Sequence, residues 1–122
     1  EAAVDGIDIS TAVPKLENLL EDENADADVK KAAAEALGEA AGMGNERAAL
    51  NALTEGLKNE NADVRKAAAM GLKVAAVNGS EELRKDIVQT LKEALGNEKN
   101  TDVIDLINRV IVEIERSQWL QR

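Results

Sequence analysis

Histidine, cysteine, phenylalanine and tyrosine are absent from the 122 residues, Trp119 is the one aromatic side chain, and Pro14 is the one proline. Each absence removes something. Without histidine, the commonest general base and the commonest metal ligand are missing. Without cysteine there is no thiolate nucleophile and no disulfide. The missing thiols fit a cytoplasmic protein, which is the expectation, although a disulfide-free secreted module would look the same. A core without Phe or Tyr must be built from Leu, Ile, Val and Ala, whose smaller side chains suit close helix–helix contact. No apolar run approaches the roughly 20 residues that span a bilayer, and no apolar leader with a basic flank is present, so no membrane partner is expected.

Positive charge is also scarce: 15 Lys and Arg stand against 24 Asp and Glu, a formal net charge of −9. The imbalance is local. Residues 1–44 carry eleven acids and three lysines, residues 45–79 four acids and five bases, and residues 80–122 nine acids and seven bases. An acidic surface repels phosphate backbones, and one aromatic ring offers no stacking platform, so no nucleic-acid partner is expected. Arg65, Lys66 and Lys73 form the only basic strip, which reads as a solvated or salt-bridged helix face.

What is present repeats. Leu16, Leu20, Asp28, Val29 and Leu37 recur as Leu53, Leu57, Asp63, Val64 and Leu72, and again as Leu91, Leu95, Asp102, Val103 and Ile111. The leucine pair moves by 37 and then 38 residues, while Asp to Leu or Ile is nine in every copy. Such a period, written in helical apolar spacing, marks a stacked helix-pair solenoid. Residues 1–122 read as one all-α domain of six helices, with repeats at about 8–44, 45–79 and 80–117.

In the first copy Asp8 or Ser10 is the expected N-cap, and Pro14 falls in or just after the first turn. Residues 21–28 form the turn, and the second helix spans about 29–41 and stops at Gly42 and Gly44. In the second copy Asn45 caps one helix and Asp63 the next. In the third, Ser80 caps, Gly96 ends the helix, and Thr101 or Asp102 starts the last one.

These residues resemble HEAT repeats, particularly the short bacterial and archaeal type of phycobilisome-lyase-related proteins. Three features carry the likeness: the Pro-containing first helix Ala12–Leu20, the turns ending in Asp28-Val29-Lys30 and Asp63-Val64-Arg65, and the alanines before Leu37-Gly38 and Gly71-Leu72. The resemblance implies a right-handed α-solenoid of three HEAT-like hairpins acting as a scaffold that binds proteins. It also implies that Asp28, Asp63, Lys30 and Arg65 are structural links between copies. Second helices line the concave surface of such solenoids, which makes Lys31, Glu35, Lys66, Met70, Lys73 and Val74 candidate partner contacts. The acidic first copy would draw a basic partner segment.

The third copy departs. Ala32, Ala33, Ala36 and Ala40 align with Leu106, Ile107, Val110 and Ile114, and Ile104 replaces the basic residue after Asp-Val. Apolar residues go nearly round this helix, which means burial on more than one side. Either it fills a thicker core, with Trp119 and Leu120 folded over its end, or it contacts another protein, a further repeat, or another copy of the chain through Ile104, Ile111 and Ile114. A rival role is structural or self-assembling, as a segment of a longer solenoid or a homodimer subunit, and the resemblance also implies a lyase-like enzyme or chromophore chaperone as a third.

No catalytic, cofactor or metal residues are expected. Asp22, Asn24, Asp26 and Asp28 alternate like the start of a calcium loop, but Ala27 stands where that loop needs Gly and Ala33 where it needs a bidentate Glu. Ser10, Ser80 and Ser117 have no histidine to activate them. The carboxylates of an exposed turn lack the dry pocket that acid–base catalysis requires.

Overall fold

The computed structural model describes residues 9–41 and 46–120, with side-chain environments for 12–41 and 47–117. Six helices follow in order: α1 (Ile9–Glu21), α2 (Ala27–Ala41), α3 (Glu46–Gly56), α4 (Ala62–Asn78), α5 (Glu81–Asn97) and α6 (Thr101–Leu120). Each odd helix packs on the even helix after it, giving three hairpins. The hairpins stack so that α2, α4 and α6 form one layer, α4 in the middle. On the other side α1 packs on α3, whereas α3 and α5 make no comparable contact. The architecture is all-α and consistent with a helical-repeat solenoid.

The leucines that mark the repeat form the core. Leu20, Leu37, Leu53, Leu72 and Leu91 are all fully enclosed, each worth roughly 1.5–3 kcal/mol relative to exposure. At the seam where α2 meets α4, Gly38 lies against Gly71, Val74 and Ala75, and Gly71 against Ala34, on two helices whose buried sides are rich in alanine. A Cβ placed on Gly38 would collide with the Gly71 carbonyl and lie 2.9 Å from Val74 Cβ; one on Gly71 would meet the Ala34 carbonyl and lie 2.6 Å from Leu53 Cδ2. Only glycine allows the two backbones this close.

The boundaries differ from expectation at Ser10, at Gly96, which lies inside α5 rather than ending it, and at the caps of the second helices. Pro14 lies within α1, five residues after its start, so the Ser10 carbonyl has no N–H partner there. Ser10 is inside that helix rather than capping it, and Asp8 lies outside the described residues, as do Gly42, Gly44 and Asn45. The caps of the second helices sit two residues before the repeated Asp. Asp26 Oδ1 accepts the Val29 N–H at 2.9 Å; Asn61 Oδ1 accepts from Asp63 at 2.7 Å and Val64 at 3.4 Å; Asn100 Oδ1 accepts from Asp102 at 2.9 Å and Val103 at 3.2 Å. The repeated Asp28, Asp63 and Asp102 instead occupy the first turn, where the helix dipole favours a carboxylate. Ser80 caps α5 as expected.

Candidate protein-docking surface

The turn ends carry a polar network that the Asp-Val-basic pattern positions. Arg65, one residue into α4 from Val64, donates to the carbonyls of Asn59 at 2.7 Å and Glu60 at 2.9 Å, holding its own turn. It also grips Glu98 of the next turn with both carboxylate oxygens, Nε to Oε1 at 2.8 Å and Nη2 to Oε2 at 3.0 Å. Glu98 in turn accepts the Asn100 N–H at 3.0 Å. Burial pushes the Glu98 carboxyl up, but that N–H and the guanidinium outweigh it and hold the group below its ordinary value. Lys30, the equivalent of Arg65, is buried and donates to the Asp22 carbonyl, closing its own turn only. Arg65 is therefore a link between copies, as the resemblance implied, and Lys30 is a turn clamp.

Within the second-helix layer, the candidate contact residues recur at matching places. Lys31 and Glu35 of α2 correspond to Lys66 and Met70 of α4. Lys31 is exposed; Glu35, Lys66, Met70, Lys73 and Val74 are half-buried. The basic strip is salt-bridged throughout: Arg65 to Glu98, Lys66 to Asp63 at 3.8 Å, and Lys73 to Glu113 of α6 at 2.7 Å. The hydrogen bond from Lys73, against a smaller opposing push from burial, holds Glu113 below its ordinary value. The layer continues onto α6 through Arg109, Val112 and Arg116, which with Asn108 and Glu113 line a depression of about 380 Å³. Val112, at 54% exposure, is the most exposed large apolar residue among those described. These α6 positions were missed in the sequence, although Arg109 stands one repeat beyond Met70.

Ile111 and Ile114 correct the expectation of a self-association surface. They are 8% and 0% exposed, buried with Val103, Ile107 and Val110, and Ile104 is half-buried. The large residues of α6 fill space that alanines leave narrow between the first two copies. Its outward face instead sets Asp105, Asn108, Arg109, Glu115 and Arg116 around the exposed Val112. The expected folding of Trp119 and Leu120 over the helix end concerns side chains outside the described residues.

Two clefts open at the turn end. One of about 880 Å³ separates α3 from α5, with Thr54, Leu57 and Lys58 on one wall, Thr90, Glu93 and Ala94 on the other, and the Arg65–Glu98 pair at its base. The other, about 740 Å³, lies between the first two turns and is lined by Glu21, Glu23, Glu55 and Glu60 against Lys30 and Lys58. Sequence reasoning saw the acids of residues 21–28 but not that copy two adds Glu55 and Glu60 to them.

The calcium-like alternation is spent on backbone. Asp22 Oδ1 accepts the Asn24 N–H at 2.8 Å and Asp26 caps α2, so two of the four oxygens are turned to the chain itself. Among the described residues no group of three acidic side chains converges on a point that could hold a metal. No described helix is long and apolar enough to cross a membrane.

No curated protein and no solved structure matches the chain. Residues 2–73 match the family model of HEAT repeats, a stretch that includes α1, α2 and α3 and reaches into α4 past Gly71. That match spans well over half of the sequence, and the helices pack as sequence-neighbour pairs; the chain belongs to the HEAT-repeat family.

Proposed function

We propose that the protein is a cytoplasmic interaction module without chemistry of its own, taking a basic segment of a protein partner. HEAT repeats in general mediate protein–protein contact. The observation that carries the finer reading is the cleft between the first two turns, where two adjacent copies contribute Glu21, Glu23, Glu55 and Glu60 to one acidic hollow. Four carboxylates against the two ammonium groups of Lys30 and Lys58 leave the hollow with an excess of negative charge. A basic strand or helix end seated there would continue over Lys31, Glu35, Lys66 and Met70. The other large cleft balances Lys58, Arg65 and Lys99 against Glu60, Glu93 and Glu98, which gives less reason for a charged ligand.

Immobilised protein would be exposed to lysate of the source at low salt and at about 0.5 M salt, where surface charge contacts are largely screened. The double variant Glu55→Lys with Glu60→Lys runs in parallel. A defined protein held at low salt, released at high salt and not held by the variant supports the reading. Equal capture by both forms, or recovery of the bait alone, overturns it. The likeness to the phycobilisome-lyase-related type rests on the Asp-Val-Lys and Asp-Val-Arg turns, and nothing about the clefts favours a lyase or chromophore role.

A further inference from the structure

The last helix sets the most exposed large apolar side chain of the described residues between two guanidinium groups. Residues seven apart fall on one side of a helix, two turns and roughly 10 Å from each other. On α6 that spacing joins Arg109 to Arg116, with Val112 between them. Both arginines are exposed, and among the described residues neither donates a hydrogen bond or closes a salt bridge.

The carboxylate beside them, Glu113, is already engaged, since Lys73 of α4 reaches it at 2.7 Å. That hydrogen bond first, and then the charges of Lys73, Arg109 and Arg116, hold Glu113 below its ordinary value against the opposing push of burial. Three cations thus act on one anion. Even with Asp105, one turn before Arg109, the patch keeps an excess of positive charge. Glu115, the remaining acid between residues 105 and 116, is turned to Lys92 of α5 at 3.9 Å. On a chain of net charge −9 this is a local reversal of sign.

We infer that this face of α6 docks an acidic amphipathic helix of another protein, with carboxylates two turns apart on Arg109 and Arg116 and an apolar side chain between them on Val112. A guanidinium offers a planar pair of donors that matches a carboxylate. Two unspent forks on one straight helix select acceptors at the same pitch on a helix laid beside it. The depression around Val112, lined also by Asn108, leaves room for the apolar side chain. A nucleic acid fits less well, because each further phosphate would face the acids that outnumber bases over the rest of the chain. The patch shares no residue with the acidic hollow of the first two turns, so the inference stands whatever binds there.

The probe is a synthetic alanine-based helix carrying glutamates two turns apart and a leucine midway; a second peptide has glutamines in their place. Each is titrated into the full chain and followed by amide chemical shifts. The expected result is movement at Arg109, Val112 and Arg116, and an affinity about tenfold lower for the glutamine peptide. The double variant Arg109→Gln with Arg116→Gln should lose as much while keeping the helicity of the original chain. Val112→Ser should weaken binding by a similar factor at low salt and at about 0.5 M salt, which separates the apolar contact from the charges. Glu55→Lys with Glu60→Lys, which reverses the charge of the acidic hollow, should leave peptide binding in place. Equal affinity for the two peptides, movement confined to another face, or no movement overturns the inference. So does tighter binding of a single-stranded oligonucleotide at the same arginines, which would assign the patch to nucleic acid. A dimer of the free chain that the double arginine variant dissolves would assign it to a second copy and overturn the inference as well.

Discussion

Arg65 and Lys30 stand at the same place in successive copies, yet they hold different things. Both close their own turn, but the planar fork of Arg65 also takes Glu98 of the next copy in two-point contact, which an ammonium cannot reproduce. The side chains of the pair are 18% and 6% exposed, so removing one partner strands a charge that water barely reaches. Arg65→Met is expected to cost about 3 kcal/mol, read as a shift in the urea midpoint. Glu98→Gln adds a pH signature. Because the fold holds the Glu98 carboxyl below its ordinary value, its contribution is complete above the unfolded glutamate pKa of about 4.3 and is lost as pH falls through the folded value. Wild type and Glu98→Gln should therefore differ most at neutral pH and converge as pH falls below about 4.3 and on through the folded value; parallel curves would show that Glu98 adds no pH-dependent stability. That Arg65 would bind a neighbouring copy followed from the repeat resemblance. Its partner was not legible, because Glu98 lies 33 residues further on and meets it only once the hairpins have stacked.

At the scale of helices, alanine and glycine decide how near two backbones come. Gly71→Ala gains helix propensity of about 1 kcal/mol, but the new methyl meets the Ala34 carbonyl and Leu53. The carbonyl cannot yield without parting α2 from α4, and the Leu53 methyl on α3 must shift as well, so a net loss of about 2 kcal/mol is expected by thermal or urea unfolding. Gly96 is the internal control: it lies in α5, where an added methyl would meet nothing within 4 Å, and Gly96→Ala should stabilise by about 0.5–1 kcal/mol. If both variants moved the same way, propensity rather than close packing would govern the seam. Periodicity made the six helices readable, because leucines at helical spacing have one way to be buried together. The caps were misread since the conspicuous Asp63 lies beside Asn61, and only the hydrogen bonds distinguish the residue that caps from the one that follows.

Over the whole molecule, the third hairpin balances a change of seam. Alanines join the first two copies, whereas Val103, Ile107, Val110, Ile111 and Ile114 form the buried side of α6. Ile111→Asp is therefore expected to destabilise the monomer by about 3–5 kcal/mol through loss of apolar packing and burial of a charge, lowering helicity at ambient temperature. A variant that stays fully helical and merely changes sedimentation would place Ile111 on a contact surface instead. The nearly continuous apolar ring of α6 could be read from the sequence. Which arc of it faces the core could not, since that depends on how far the large residues hold α6 from α4. The gap between α3 and α5 has a mechanical consequence. A load applied along the stack meets one joint braced on both sides and another braced only through α4, α5 and α6. Bending strain concentrates at the second joint, so the superhelix behaves as a rigid two-hairpin arm carrying a compliant third, with the Arg65–Glu98 clasp limiting how far it opens.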